Sequence, residues 1–154
     1  MEFYLLGLIS GQLGLHEPAL VLTPPAKGST EDDGLLTASE IAQLKLDADW
    51  VVLSACNTAS GTEPGAEGLS GLARAFFYSG ARTLLVSHWP VVAEVSARIT
   101  TAIFKERKLN PQTGPAEALR LAMLSVMKSK SEPTYAHPIF WAPFVVVGEG
   151  AVRD

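Results

Sequence analysis

Four short stretches of the chain are almost continuously apolar and rich in β-branched residues. This pattern is typical of strands that are buried on both faces of a parallel sheet. It predicts strands over residues 19–23, 50–56, 83–89 and 144–149. Apolar residues between and after these stretches instead recur at three- and four-residue spacing, which predicts helices.

The predicted helices cover residues 37–46, 68–80, 91–108 and 115–128. Thr37 and Glu40 stand three residues apart at the start of the first, which is the spacing of a capping box. Strands that alternate with helices favour an open α/β sheet with helices on both faces. No internal repeat or low-complexity segment is visible, so we expect residues 1–154 to form one domain.

The composition of the chain bears on its partners and on its cellular compartment. The chain carries 12 Lys and Arg against 16 Asp and Glu, a net charge of −4. An acidic balance argues against a nucleic-acid partner, because phosphates need a basic surface. One cysteine cannot form an internal disulfide, which fits a reducing compartment. No run reaches the roughly 18 apolar residues of a membrane span, so we expect a soluble, cytoplasmic protein.

Cys56 is the last residue of the second predicted strand. In open α/β sheets, ligands bind at the carboxyl ends of the strands. The next twelve residues contain three glycines and a proline, which is typical of a loop. Free cysteines nevertheless often behave as small buried apolar residues. Position alone therefore leaves open whether Cys56 is a nucleophile or part of the core.

Three blocks of the sequence carry a family resemblance, and they read LTASEIAQLKLDADWVVLSACNTASG, GAEGLSGLARAFFYSGARTLLVSHWPV and HPIFWAPFVVVGEG. Together they resemble the CHAT domain, a caspase-like module found with tetratricopeptide repeats in many bacterial proteins. The resemblance implies a caspase-like, open, mostly parallel sheet with helices on both faces. It aligns Cys56 with the nucleophile of a clan CD cysteine endopeptidase related to caspases and separase. In that chemistry a histidine activates the thiolate, and backbone N–H groups hold the oxyanion.

The segment EFYLLG, residues 2–7, aligns with the part of the family that carries the catalytic base. The family segment reads His-Phe-Ala-Thr-His-Gly, and its second histidine is the base. Leu6 occupies that place here, whereas Gly7 matches the glycine of the oxyanion hole. Leucine cannot carry a proton, so the resemblance implies an incomplete Cys–His dyad and a pseudoenzyme. The family domain also begins several elements earlier, so we expect an N-terminally truncated domain that lacks the first strands.

Two alternatives to an inactive scaffold stay open. An active endopeptidase could recruit His88, the end of the strand TLLVSH, as its base, or receive a base from another chain. His16 and His137 are weaker candidates for the same role. A non-catalytic module could instead hold a protein partner in the cleft or at a sheet edge.

The resemblance also implies positions that contact substrate. Relatives commonly carry an aspartate after the HWPV motif, where this chain has Val92 and then Glu94. We assign substrate binding to these two residues and to Trp89, which could line a peptide groove. No cofactor and no metal are expected.

A strand over residues 3–9 would present an unpaired apolar edge if the first strands of the fold are missing. Such edges pair readily with another chain. We therefore expect a protein or peptide partner, and a homodimer that forms through this N-terminal strand. Its buried residues would include Phe3, Leu5, Leu8 and Ile9. Neither a nucleic acid nor a membrane is expected as a partner.

Overall fold

The structure is a computed structural model that describes residues 7–9, 17–22, 29, 33–53 and 68–149. Two short 3-10 helices, Pro133–Ala136 and Pro138–Phe140, precede the last strand. The α/β architecture that the sequence predicted is confirmed. In chain order the elements are β1 (Gly7–Ile9), β2 (Ala19–Val21), β3 (Leu35–Thr37), α1 (Ala38–Gln43), β4 (Ala48–Val52), α2 (Gly68–Tyr78), β5 (Ala81–Ser87), α3 (Ala93–Leu109), α4 (Pro115–Met127) and β6 (Phe144–Gly148).

The described strands form two three-stranded sheets. In the first sheet β2 lies between β1 and β3, and both pairings are antiparallel. In the second sheet β5 lies between β4 and β6. The β4–β5 pairing is parallel, with Val52 opposite Leu85, whereas β6 runs antiparallel to β5, with Phe144 opposite Ser87.

The direction of β6 departs from the mostly parallel sheet that we expected. One helix, α2, separates β4 from β5. A single crossover helix returns the chain to the edge where the previous strand began, so the next strand runs parallel to it. Two packed helices, α3 and α4, separate β5 from β6. The second helix carries the chain back, so β6 starts beside the end of β5 and runs the opposite way. An apolar run does not reveal strand direction, because its residues are buried either way.

The start of α1 follows the predicted capping box. The backbone N–H of Glu40 donates to Oγ1 of Thr37 at 3.3 Å, and the N–H of Thr37 donates to Oε2 of Glu40 at 2.8 Å. The helix ends at Gln43, three residues earlier than predicted, because Leu44 adopts extended backbone. The N–H of Leu46 then donates to the carbonyl of Ser79, which leads the chain into β4.

The hydrophobic core has two halves, one on each face of the second sheet. Leu84 and Val86 of β5 pack towards α1, α2 and the first sheet, whereas Leu85 packs towards α3 and α4. Side chains alternate across a strand, so three consecutive residues serve both halves. Helices on both faces of a sheet were predicted, and this packing confirms them.

Glycine is required at Gly148, where β6 ends. Its φ is +105°, and a Cβ built there would lie 2.4 Å from the carbonyl oxygen of Arg82. The same carbonyl accepts a hydrogen bond from the N–H of Glu149 at 3.1 Å. The close approach of the two strands therefore depends on the absence of a side chain at this position.

Replacing Gly148 with alanine should lower the free energy of unfolding by at least about 2 kcal/mol, because backbone strain adds to the steric clash. Chemical denaturation measures the effect. Gly114→Ala is the matched control, since Gly114 caps α4 with φ −67°, which any residue adopts. That substitution should cost less than about 1 kcal/mol. Equal losses for the two variants would contradict the steric role of Gly148.

Candidate functional site

The candidate site lies at the carboxyl edge of the second sheet, where β4 and β5 end side by side. Beyond the last pair of the ladder, the N–H of Leu53 donates to the carbonyl of Leu85 at 2.8 Å. β4, which leads towards Cys56 in the sequence, thus lies beside β5, which ends one residue before His88. Parallel strands that end together create the edge at which α/β folds bind ligands.

Several predicted site residues fall outside the described part of the chain. Cys56 follows Leu53 by three residues and lies in the undescribed range 54–67, and Leu6 and His16 are also undescribed. Gly7 is described as backbone of β1, opposite Val21. The roles assigned to the nucleophile, base and oxyanion-hole positions stay predictions.

His88 is the first residue after β5, and it is exposed. Its backbone N–H donates to the carbonyl of Pro143 at 3.0 Å, which fixes the chain at the end of the strand. Within the described residues its imidazole forms no hydrogen bond and no ion pair. The ring is therefore available to a ligand or a reacting group at this edge.

The segment from Ala136 to Trp141 packs beside the end of β5 through side-chain hydrogen bonds. The indole Nε1 of Trp89 donates to the carbonyl of Ile139 at 3.1 Å, and that of Trp141 donates to the carbonyl of Ala136 at 3.3 Å. Nδ1 of His137 accepts from the N–H of Ile139 at 3.2 Å, which caps the second 3-10 helix. His137 therefore has a structural contact here.

Three large apolar side chains near this edge face solvent. The exposed fractions are 37% for Trp89, 48% for Val92 and 55% for Ile139. Val92 is the N-cap of α3 but makes no side-chain capping bond. Two of the predicted substrate positions, Trp89 and Val92, are thus accessible, and Ile139 is a third apolar residue that the sequence reasoning missed.

Glu94, the third predicted substrate position, is already engaged by protein groups. Its Oε1 accepts from Nη2 of Arg98 at 2.7 Å, and its Oε2 accepts from the hydroxyl of Tyr135 at 3.1 Å. The guanidinium of Arg98 also lies 5.3 Å from the centre of the Tyr135 ring. A basic side chain of a substrate would have to compete with Arg98 for this carboxylate.

These contacts change the acidity of both partners. The hydrogen bond from Arg98, and after it the one from Tyr135, lowers the pKa of Glu94 below its ordinary value of 4.5. Burial, and then the hydrogen bond to Glu94, raises the pKa of Tyr135. The four-residue spacing of Glu94 and Arg98 could have revealed their pairing. No local signal points to Tyr135, which lies 41 residues from Glu94.

The described part of the chain shows neither a metal-binding cluster nor a membrane-spanning helix. No group of three or more His, Cys, Asp and Glu side chains there is arranged to hold a metal ion. None of the helices described combines the length and the apolar character that crossing a membrane requires.

Replacing Arg98 with glutamine should raise the pKa of Glu94 towards its ordinary value, because it removes the largest cause of the lowering. A carboxylate with a lowered pKa stabilises the fold above its ordinary pKa, and this contribution is lost as the pH falls through the lowered pKa. The pH stability profile of the variant should therefore be flatter at acidic pH. NMR titration of the side-chain carboxyl carbons measures the pKa directly.

Arg120→Gln is the control, because Arg120 holds Glu117 in the same way on α4. It should raise the pKa of Glu117, which Arg120 lowers, and leave Glu94 unchanged. An unaltered Glu94 titration in Arg98→Gln would contradict the pairing.

Comparison with known proteins agrees with this geometry. A family model for the CHAT domain matches residues 9–149. Tetratricopeptide repeat protein 28 of Mus musculus is 38% identical over 114 residues, and the same protein of Homo sapiens is 37% identical over 114 residues. Each match covers 74% of this chain but 4% of the relative, so the chain spans a small part of these proteins. The chain belongs to the CHAT domain family, which is related to the caspase-like peptidase fold.

Proposed function

We propose that this CHAT domain uses the scaffold of a caspase-like cysteine endopeptidase to hold a protein or peptide segment, without cleaving it. The observation that carries the proposal is Leu6, a residue without a titratable group at the position that the family resemblance assigns to the base. A cysteine nucleophile needs a base to form the thiolate and an acid to protonate the leaving amine. By the family resemblance this partner is missing from its usual position, whereas Cys56 and Gly7 keep theirs.

The carboxyl edge of the second sheet supports the binding part of the proposal. The exposed side chains of Trp89, Val92 and Ile139 offer apolar contacts to a peptide. Trp89 is held by its hydrogen bond to Ile139, so little side-chain freedom is lost when a ligand binds. The named relatives carry tetratricopeptide repeats, and repeat arrays present extended binding surfaces. A protein partner is therefore the expected ligand.

A second candidate function is an active endopeptidase that uses Cys56 with His88, or with a base from another chain. The observation in its favour is the position of His88, exposed at the end of β5, beside β4 and without a side-chain hydrogen bond among the described residues. In a reducing compartment such as the cytoplasm, where we place the protein, Cys56 would remain a free thiol.

The purified chain should cleave no peptide faster than its Cys56→Ala variant does, because the activating base is absent. A peptide library with basic and apolar residues at the cleavage position provides the assay. The Leu6→His variant should gain cleavage that a further Cys56→Ala substitution abolishes. Failure of Leu6→His alone would count against the alignment of residues 2–7.

Cleavage by the unmodified chain that is lost in both Cys56→Ala and His88→Ala would instead establish the second candidate. Iodoacetamide labelling separates the two candidates without a substrate. An unassisted thiol reacts slowly at neutral pH, whereas labelling with a midpoint below about pH 6 requires a base or cation nearby.

We further propose that the chain forms a homodimer through the strand over residues 3–9. Of this strand, Gly7–Ile9 is described as β1, which pairs with β2 on one side and has no described partner strand on the other. Unpaired strand edges template association with another chain.

Light scattering at micromolar concentration should report a dimer for the unmodified chain and a monomer for Leu5→Lys, because a charge on the edge opposes pairing. Tyr78→Lys is the control, since Tyr78 is 84% exposed on α2 and should leave the dimer intact. A monomeric unmodified chain would disprove the dimer.

A further inference from the structure

A depression of about 510 Å³ lies beside the start of β4 and the last turns of α3. It is distant from the candidate site, because Arg107 lies thirteen residues beyond Glu94 on α3, roughly 20 Å along the helix. The depression is lined by Asp49, Trp50, Phe104, Arg107, Lys108 and Pro111. We call these six residues the Arg107 patch.

Two aromatic rings form the floor of the Arg107 patch. The rings of Trp50 and Phe104 lie 6.0 Å apart at 59°, and Phe104 is 46% exposed. The guanidinium of Arg107 lies 5.5 Å from the centre of the Trp50 ring, in the range of a cation–π contact. This contact restrains the side chain of Arg107, whose planar guanidinium can bind a carboxylate through two parallel hydrogen bonds.

Arg107 differs from three other arginines of the described chain because no carboxylate there pairs with it. Arg82, Arg98 and Arg120 each approach an Asp or Glu oxygen at 2.6 to 2.8 Å. Among the described residues Arg107 forms no ion pair and no side-chain hydrogen bond, and its Nε is shielded from solvent. A guanidinium that is stacked but unpaired offers several donors in a fixed position.

Two further donors of the patch, on Trp50 and Lys108, also have no protein acceptor among the described residues. Nε1 of Trp50 is shielded from solvent and has no acceptor, and Lys108 forms no ion pair in the described part of the chain. The carboxylate of Asp49, also in the patch, is held by Nη1 of Arg82 at 2.8 Å. The carboxylate of the patch thus pairs with Arg82, and Arg107 and Lys108 have no anionic partner among the described residues.

We propose that the Arg107 patch binds an acidic peptide segment of a partner protein. A carboxylate of this segment would pair with Arg107 and Lys108, and a neighbouring apolar side chain would pack on Phe104 and Trp50. The exposed ring favours a peptide over a simple inorganic anion, since burial of apolar surface adds to the ion pair. The proposal does not depend on the function of the candidate site at the other edge of the sheet.

Net charge argues against a nucleic acid in the same place. The chain carries a net charge of −4, and Asp49 within the patch and Asp47 beside it both pair with Arg82. A polyphosphate needs a broadly basic surface, whereas an acidic peptide also gains from apolar contacts with Phe104 and Trp50.

Titration of the full-length, ¹⁵N-labelled chain with a synthetic peptide tests the proposal. The probe is the acetylated and amidated peptide Glu-Leu-Glu-Phe-Glu-Leu, and its analogue with glutamine in place of each glutamate is the ligand control. The acidic peptide should shift the indole N–H resonance of Trp50, assigned with a Trp50→Phe variant, and the amide resonance of Lys108. The glutamine analogue and inorganic phosphate at the same concentration should shift neither.

Arg107→Gln should weaken binding at least about tenfold, because hydrogen bonds to a charged group are lost. Lys105→Gln is the matched control, since Lys105 is exposed on the same helix but does not line the depression; it should change the dissociation constant less than about twofold. Lys108→Gln should weaken binding about threefold, and its exposed position leaves the packing of Trp50 intact.

Three results would overturn the proposal. The first is no resonance shift with the acidic peptide at millimolar concentration. The second is equal binding of the glutamine analogue or of phosphate. The third is unchanged affinity in Lys108→Gln, which decides the matter even if Arg107→Gln does not fold.

Discussion

The structure depends on β5, which is paired on both sides and buried along most of its length. Six of its seven residues are buried, and it bonds to β4 on one side and β6 on the other. Leu84 and Leu85, adjacent in sequence, belong to opposite halves of the core. Both helix layers therefore pack on one strand. A polar residue at Leu84 would place a buried polar group on the side of α1 and α2, and one at Leu85 would do so on the side of α3 and α4.

Burial of β5 determines where a functional site can form. Side chains from Thr83 to Ser87 are buried, so beyond Arg82 the chain next reaches solvent at His88, after the strand ends. β4 and β5 end close together, and hydrogen bonds of Trp89 and His88 join this edge to the segment around the 3-10 helices.

The two ends of α3 have different electrostatic properties. At its start, the carboxylate of Glu94 accepts hydrogen bonds from Arg98 and Tyr135. The apolar side chains of Trp89, Val92 and Ile139 are exposed near this end. At its end, Arg107 is stacked on Trp50 without an acceptor. One helix thus presents an apolar surface at one edge of the sheet and a donor-rich surface at the other. Such surfaces suit different segments of a partner.

The sequence by itself determined the local features of the fold. Periodicity located β5, α3 and α4 to within two residues at each end, because apolar spacing reports which face of an element is buried. Thr37 and Glu40 indicated the start of α1, since capping acts between residues three apart. The sequence blocks around Cys56, His88 and Trp141 indicated the CHAT domain family. The family model that matches residues 9–149 shows this membership.

Tertiary structure alone decided the direction of β6, the engagement of Glu94 by Tyr135 and the stacking of Arg107 on Trp50. Each of these pairs residues or elements that are far apart along the chain. Local spacing carries no information about such contacts, because they arise only when the helices pack on the sheet and bring distant side chains together. The same packing gave Glu94 two side-chain partners within the chain, and it placed no described carboxylate in an ion pair with Arg107.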